Sequence, residues 1–70
     1  RINAVSPGCV ETDILAAVPK DKLAQLKAGH PIGRIGKSEE VAEAVLWLCS
    51  DAASFVIGHN MIIDGAYTAQ

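Results

Sequence analysis

Residues 3–12 read NAVSPGCVET, and the reading of this stretch decides the fold. Residues 1–6 are predicted as a strand, with Ile2, Ala4 and Ser6 facing one way and Val5 the other. Pro7 ends it, because proline removes a ladder donor and fixes φ. Open α/β sheets take ligands just outside the carboxyl ends of their strands, and residues 7–12 occupy such an end. Gly8 has no Cβ, so a ligand can lie against the main chain there. Val10 then offers one N–H and one C=O in extended geometry, a pair complementary to a carboxamide. Thr12 can donate its hydroxyl to an amide or phosphate oxygen, or cap the next turn. Local spacing alone leaves two readings open: a loop that holds a flat polar ligand, or a strand stop followed by a helix cap.

Downstream, Thr12–Ala17 (TDILAA) suits a short helical turn with Thr12 or Asp13 as its N-cap. Pro19 fits the first position of a second helix, and Asp21 adds a favourable charge in its first turn. The run through Leu23 and Leu26 closes at Gly29, with Pro31 just beyond. HPIGRIGK, residues 30–37, is expected to be a loop. Ser38, followed by Glu39 and Glu40, is the best helix start in the sequence. From there one stripe of Val41, Ala44, Val45 and Leu48 and a second of Ala42, Leu46 and Cys49 predict a wide apolar arc. A narrow face of Glu39, Glu43, Trp47 and Ser50 remains. Gly58-His59-Asn60 turns the chain, Met61-Ile62-Ile63 suits a buried parallel strand, and Asp64-Gly65 closes it. Strand, helices, strand is an α/β pattern: a βαβ unit with parallel strands and a right-handed crossover.

The 70 residues are at most one small domain, and a domain of that size buries only about 60% of its unfolded surface. A hydrophobic content of 50% excludes disorder. The net charge of −2 and the lack of a basic cluster argue against nucleic acid and anionic membrane surfaces as partners. The longest apolar run is far short of a membrane span. Cys9 and Cys49 read as reduced thiols of a cytoplasmic protein. The opening Arg1-Ile2-Asn3-Ala4-Val5 has no Met and reads as the middle of a strand, so the chain is expected to be a piece of something longer.

Four segments lie in order at a characteristic spacing: N-A-V-S-P-G-x-V-x-T at 3–12, G-R-x-G-x-x-E-E-V-A at 33–42, L-x-S-D-x-A-S-F-x-x-G at 48–58, and I-D-G at 63–65. Together they resemble the last quarter of short-chain dehydrogenases/reductases. The resemblance implies that residues 1–70 are the C-terminal segment of a single Rossmann-type domain, a doubly wound parallel sheet, and carry its sixth and seventh strands. It further implies an NAD(P)-dependent oxidoreductase that moves hydride between the nicotinamide of NAD or NADP and an alcohol or ketone. Pro7, Gly8, Val10 and Thr12 would be cofactor-binding. The Val10 main chain would hold the carboxamide, and Thr12 would touch the carboxamide or the pyrophosphate. Asp13 to Gly29 would be the substrate lid, with Ile14, Leu15 and Val18 against a rather apolar substrate. The helix from Ser38 and the last strand would pair with their copies in a homo-oligomer, a dimer or tetramer.

Two departures from the family pattern stand out. Asp64-Gly65-Ala66 replaces the usual Asp-Gly-Gly, which puts a left-handed backbone at position 66 in question. The glycine-rich phosphate turn, the Asn-Asn-Ala-Gly segment, the active Ser and the Tyr-x-x-x-Lys pair have no counterpart among these residues. Tyr67 is the only tyrosine, and the position four after it lies beyond Gln70. No catalytic residue is therefore expected, and the 70-residue chain alone is expected to be inactive, with no cofactor affinity in the millimolar range or tighter.

The remaining chemistry-bearing residues have plain readings. Cys9 lacks a basic neighbour in sequence and reads as inert. His30 and His59 sit in separate loops without metal-ligand spacing and read as solvated, so no metal site is expected. Asp13, Asp21, Glu39, Glu40 and Glu43 read as helix-start and surface charges, and Arg34 as a partner for loop carbonyls or a nearby carboxylate. Asp64 reads as a brace for its loop, with no chemistry assigned. The ending Tyr67-Thr68-Ala69-Gln70 resembles that of some alcohol-dehydrogenase-like members, which implies a place for Gln70 near a structural magnesium. Trp47, on the polar strip between Glu43 and Ser50, is expected in or beside an oligomer interface. The alternative to an enzyme segment is a non-catalytic, self-associating α/β interaction module, since Ile2 to Ser6 would form an open sheet edge.

Overall fold

The computed structural model describes the backbone of residues 1–70 and every side chain except that of Ile14, so the lid role expected of Ile14 lies outside the described residues. Strand β1 (Ala4–Pro7) leads through a two-residue strand β2 (Val10–Glu11) to helices α1 (Asp13–Ala16) and α2 (Lys20–Ala28). A second two-residue strand, β3 (Gly36–Lys37), runs directly into helix α3 (Ser38–Cys49), and strand β4 (Asn60–Ile63) follows. Short 3₁₀ turns at Asp51–Ala53 and Tyr67–Ala69 complete the chain.

The expected βαβ core is present. β1 and β4 pair in parallel, Ala4 opposite Asn60 through Pro7 opposite Ile63. The strand starts later than predicted and includes Pro7. Ala4 N–H donates to the His59 carbonyl (2.9 Å) and Gly8 N–H to the Ile63 carbonyl (2.9 Å), so even-numbered residues turn their donors toward β4. The missing N–H of Pro7 therefore falls on the opposite edge, where no β4 bond is lost. Residues 1–3 serve as anchors instead of strand. The Arg1 guanidinium donates to the carbonyls of Leu48 (2.9 Å) and Ser50 (3.2 Å) at the end of α3 and to that of Ala53 (2.9 Å) in the 3₁₀ turn that follows. The Asn3 amide donates to the Val56 carbonyl (3.0 Å) and accepts the His59 N–H (2.9 Å), which fixes the turn into β4.

Segment 30–37 is not wholly a loop. Its last two residues form β3, parallel to β2 in the register Val10–Gly36 and Glu11–Lys37. Helix α3 begins at Ser38 as expected, but its cap is the carboxylate of Glu40, which accepts the Lys37 N–H at 3.0 Å, one arm of a capping box. The wide apolar arc is only half used. Leu48 is buried and Val41 and Ala44 half-buried, whereas Val45 and the second stripe of Ala42, Leu46 and Cys49 are exposed. The β1–β4 sheet has two strands, enough to cover one stripe of a helix and no more. Among the described residues only Leu48 and Ala53 form a buried apolar core.

Candidate functional site around the end of the first strand

Where β1 ends, Gly8 is required by packing within the chain. A Cβ on Gly8 would lie 2.7 Å from the Asp64 Cβ, 2.9 Å from the Asp64 Cα and 3.1 Å from the His30 Nε2. Close approach of β1 to the Asp64 backbone and the His30 ring is thus a second reason for this glycine, beside the expected access for a ligand. His30 corrects a second expectation. It is not solvated but 7% exposed. Its Nδ1 faces the Leu26 carbonyl at 2.7 Å, its Nε2 faces the Cys9 N–H at 3.3 Å, and its ring lies 5.2 Å from that of Tyr67.

The next peptide carries the pair of main-chain groups singled out above. The Cys9 carbonyl accepts the Gly36 N–H at 3.0 Å, and no cis peptide bond occurs among the described residues. In a trans peptide the C=O and N–H point in opposite directions. The Val10 N–H therefore points away from β3, and the alternation of a parallel ladder turns the Val10 C=O the same way. Both groups are left to bond something beyond β3, as a carboxamide ligand needs.

Thr12 follows as the residue before α1, and its carbonyl accepts the Leu15 N–H at 3.0 Å. Pro19 stands one place earlier than expected, as the cap of α2, where its carbonyl accepts the Leu23 N–H. Thr12 and Leu15 line an open concavity of about 520 Å³ together with Glu11, Asp13, Lys27 and Arg34. Pro7 and Gly8 line a different one, of about 610 Å³, with His30, Ile62 and Tyr67. Val10 lies on a crevice of about 50 Å³ with Cys9 and Gly36. The segment 7–12 thus runs as a ridge between two hollows, with Thr12 and Leu15 on one side and Pro7 and Gly8 on the other. Val18 is half-buried and lines neither hollow. Trp47 is 44% exposed on α3, on a different element from this ridge.

Charged groups brace the frame of the site. Arg34 grips Glu40 with two bonds, Nη1 to Oε1 at 2.7 Å and Nη2 to Oε2 at 3.0 Å, and also donates to the Ile35 carbonyl. The hydrogen bond from Arg34, helped by the Lys37 N–H, pulls the Glu40 carboxyl down to about 2, and Glu40 in turn raises Arg34. The Asp64 carboxylate accepts the Thr68 hydroxyl (2.8 Å), the Thr68 N–H (3.0 Å) and the Ala66 N–H (3.1 Å), and these bonds lower its pKa, the hydroxyl most. Among the described residues no three His, Cys, Asp or Glu side chains come together as a metal site. The loop brace read at Asp64 is present in its bonds to Ala66 and Thr68, and the Asp-Gly pair, a signal of a side-chain-bonded turn, made it legible. The packing of His30 and the anchoring by Arg1 were not legible. The bonds of His30 and Arg1 span 21 and up to 52 positions, which no local pattern carries.

Residues 1–68 match the family described as Enoyl-(Acyl carrier protein) reductase. The chain is 52% identical over 69 residues to cis-4-hydroxycyclohexanecarboxylate dehydrogenase of Sinomonas cyclohexanicum, a match over 99% of this chain and 28% of that protein. It is 47% identical over 70 residues to cyclohexanol dehydrogenase of an Acinetobacter species, over 100% of this chain and 27% of that protein. The crystal structure of a short chain dehydrogenase family protein from Francisella tularensis superposes with a TM-score of 0.87 at 36% identity, over 100% of this chain and 34% of that one. The chain thus spans little more than a quarter of the length of these curated relatives. A parallel βαβ unit, the four segments in order and a match along nearly every residue lead to one conclusion: this chain belongs to the short-chain dehydrogenase/reductase family.

Proposed function

We propose that the protein is an NAD(P)-dependent oxidoreductase of a secondary alcohol or its ketone, and that residues 7–12 hold the nicotinamide end of the cofactor. The observation that carries this reading is the Val10 N–H and C=O, turned away from β3 at the carboxyl end of a parallel strand. The N–H would donate to the carboxamide oxygen and the C=O would accept from its NH₂. Thr12, two residues on and lining the hollow beside α1, would donate its hydroxyl to the carboxamide or a pyrophosphate oxygen. Bound nicotinamide supplies the hydride donor or acceptor. Leu15 and Val18, with Ile14 beside them in sequence, would form the apolar wall of a lid over the substrate. The names of the two dehydrogenase relatives favour a hydroxyl on a six-membered ring, which suits such a wall.

Proton transfer would fall to residues outside this segment, so these 70 residues bind and orient, and turn nothing over by themselves. Trp47 and the exposed Leu46 beside it would meet a second copy of the protein. The two free thiols fit a cytoplasmic setting.

Direct titration of the full-length protein tests the cofactor assignment. NADH and NADPH are each compared with the ADP-ribose or 2′-phospho-ADP-ribose that lacks the ring. The dinucleotide should bind more tightly, and Val10→Pro should weaken it by up to about tenfold, the worth of one hydrogen bond, while leaving the ring-less ligand unchanged. The N–H that proline removes faces away from the ladder, so the bonds between β2 and β3 keep their donors. A dinucleotide held no better than its ring-less counterpart overturns the assignment.

A further inference from the structure

We propose that His30 is a positioning residue for the nicotinamide end of the cofactor, fixing the main chain that presents the Val10 N–H and tying it to helix α2. The inference rests on the cofactor reading above and adds to it a residue that does not touch the ligand. Three observations converge on it. First, the ring is 7% exposed, so its two nitrogens must find partners within the protein. Second, both do: the Leu26 carbonyl can only accept and the Cys9 N–H can only donate, which places the ring proton on Nδ1 and leaves Nε2 as the acceptor. Third, the Cys9 carbonyl is already held by Gly36 at 3.0 Å.

Cys9 is therefore clamped on both of its peptide planes, by His30 through its N–H and by β3 through its C=O. Without the His30 clamp, the peptide plane before Cys9 is free to turn, and the plane that carries the Val10 N–H is held by its β3 bonds alone. The histidine is itself mounted on the end of α2. Its own N–H bonds the Lys27 carbonyl and its Nδ1 the Leu26 carbonyl, so α2 and the ridge at 8–10 share one rigid joint. Tyr67 closes over the ring from the C-terminal turn, and the absent Cβ of Gly8 makes room for Nε2. A movement of α2, part of the proposed lid, is thereby transmitted to the atoms that would hold the nicotinamide.

The test uses the full-length protein and three variants. His30→Asn keeps a donor for the Leu26 carbonyl but is too short to reach Cys9. His30→Gln reaches Cys9 with its amide oxygen, and His30→Ala does neither. By direct titration, His30→Asn and His30→Ala should lose about fivefold to tenfold in affinity for the dinucleotide that binds wild type. Affinity for the matching ring-less ligand should stay within about twofold, since one lost neutral bond acts only where the ring sits. His30→Gln should recover most of the loss. Equal losses for the two ligands, no loss in His30→Asn, or no recovery in His30→Gln overturns the proposal. Should His30→Ala fail to fold, the Asn and Gln pair decides. A wild type that holds the dinucleotide no better than the ring-less ligand rejects the cofactor reading as well. Retention of that preference in His30→Asn rejects only the role of His30.

Discussion

Ala66 adopts φ 72° and ψ 16°, a left-handed backbone that a Cβ resists. The departure from the family's Asp-Gly-Gly has therefore changed the residue and kept the conformation. The conformation persists because the neighbours determine it. Asp64 accepts the N–H groups of Ala66 and Thr68, and Gly65 before it is also left-handed at φ 57°. Gly65 cannot vary in the same way, because a Cβ there would collide with Ile32. Ala66→Gly should raise the stability of the full-length protein by about 0.5–1 kcal/mol, the steric penalty removed less the extra chain entropy of glycine. Thermal denaturation reads this as a rise in Tm, and an unchanged or lower Tm refutes the strain. The same residues show what a sequence does and does not reveal. Pro7, Gly8, Val10 and Thr12 can be singled out from sequence because backbone chemistry follows from residue type, but the packing constraint on Gly8 cannot. It depends on Asp64 and His30, brought up by a fold that no local window contains.

Helices were legible at the scale of elements because apolar spacing, Gly29 and the acidic start at Glu39-Glu40 each mark them independently. The pair β2 and β3 was not, since two residues carry no periodicity and the pairing is made across 26 positions. What holds that pair to α3 is Glu40, which binds the Arg34 guanidinium from the loop before β3 and the Lys37 N–H at its end. These bonds draw the Glu40 pKa from its ordinary 4.5 to about 2. A carboxyl with a lowered folded-state pKa binds protons more readily when unfolded, so its contribution is complete above the unfolded value and lost as pH falls toward the folded one. The window here is pH 4.5 down to about 2. Glu40→Gln should flatten the acid side of the stability profile in that interval and lower Tm at pH 7. Both groups face water, so the difference between wild type and variant should shrink in high salt. Identical profiles of the two proteins between pH 2 and 5 would show that the pair contributes nothing.

For the molecule as a whole, the unsatisfied quantity is apolar surface. The chain measures 42 × 27 × 14 Å with a radius of gyration of 13.8 Å, against about 11 Å for a compact domain of this length. A slab 14 Å thick is one sheet with a helix on it, and each outer face needs a cover. Phe55, Ile2, Ile57 and Leu46 are all well exposed, the last at 63%. Not all of this surface can answer to one partner. Ile2 leads into β1, whose free edge and faces call for further strands and helices of a larger sheet. Leu46 lies nearly opposite Leu48 on α3 and Trp47 about 100° round the helix from it, and the sheet on which Leu48 packs leaves both exposed. A second copy can cover them, and a stable contact of that kind hides about 800 Å² on each side around a few large anchors, tryptophan prominent among them. Trp47→Asp combined with Leu46→Asp should therefore lower the sedimentation-determined mass of the full-length protein while leaving its far-ultraviolet circular dichroism unchanged. Single Phe55→Ser serves as the control, since that side chain touches no part of the α3 face by its full exposure and its loss should not dissociate a contact centred on Trp47. An unchanged mass in the double variant would assign the α3 face to the rest of the same subunit and leave the copies, if any, to meet elsewhere.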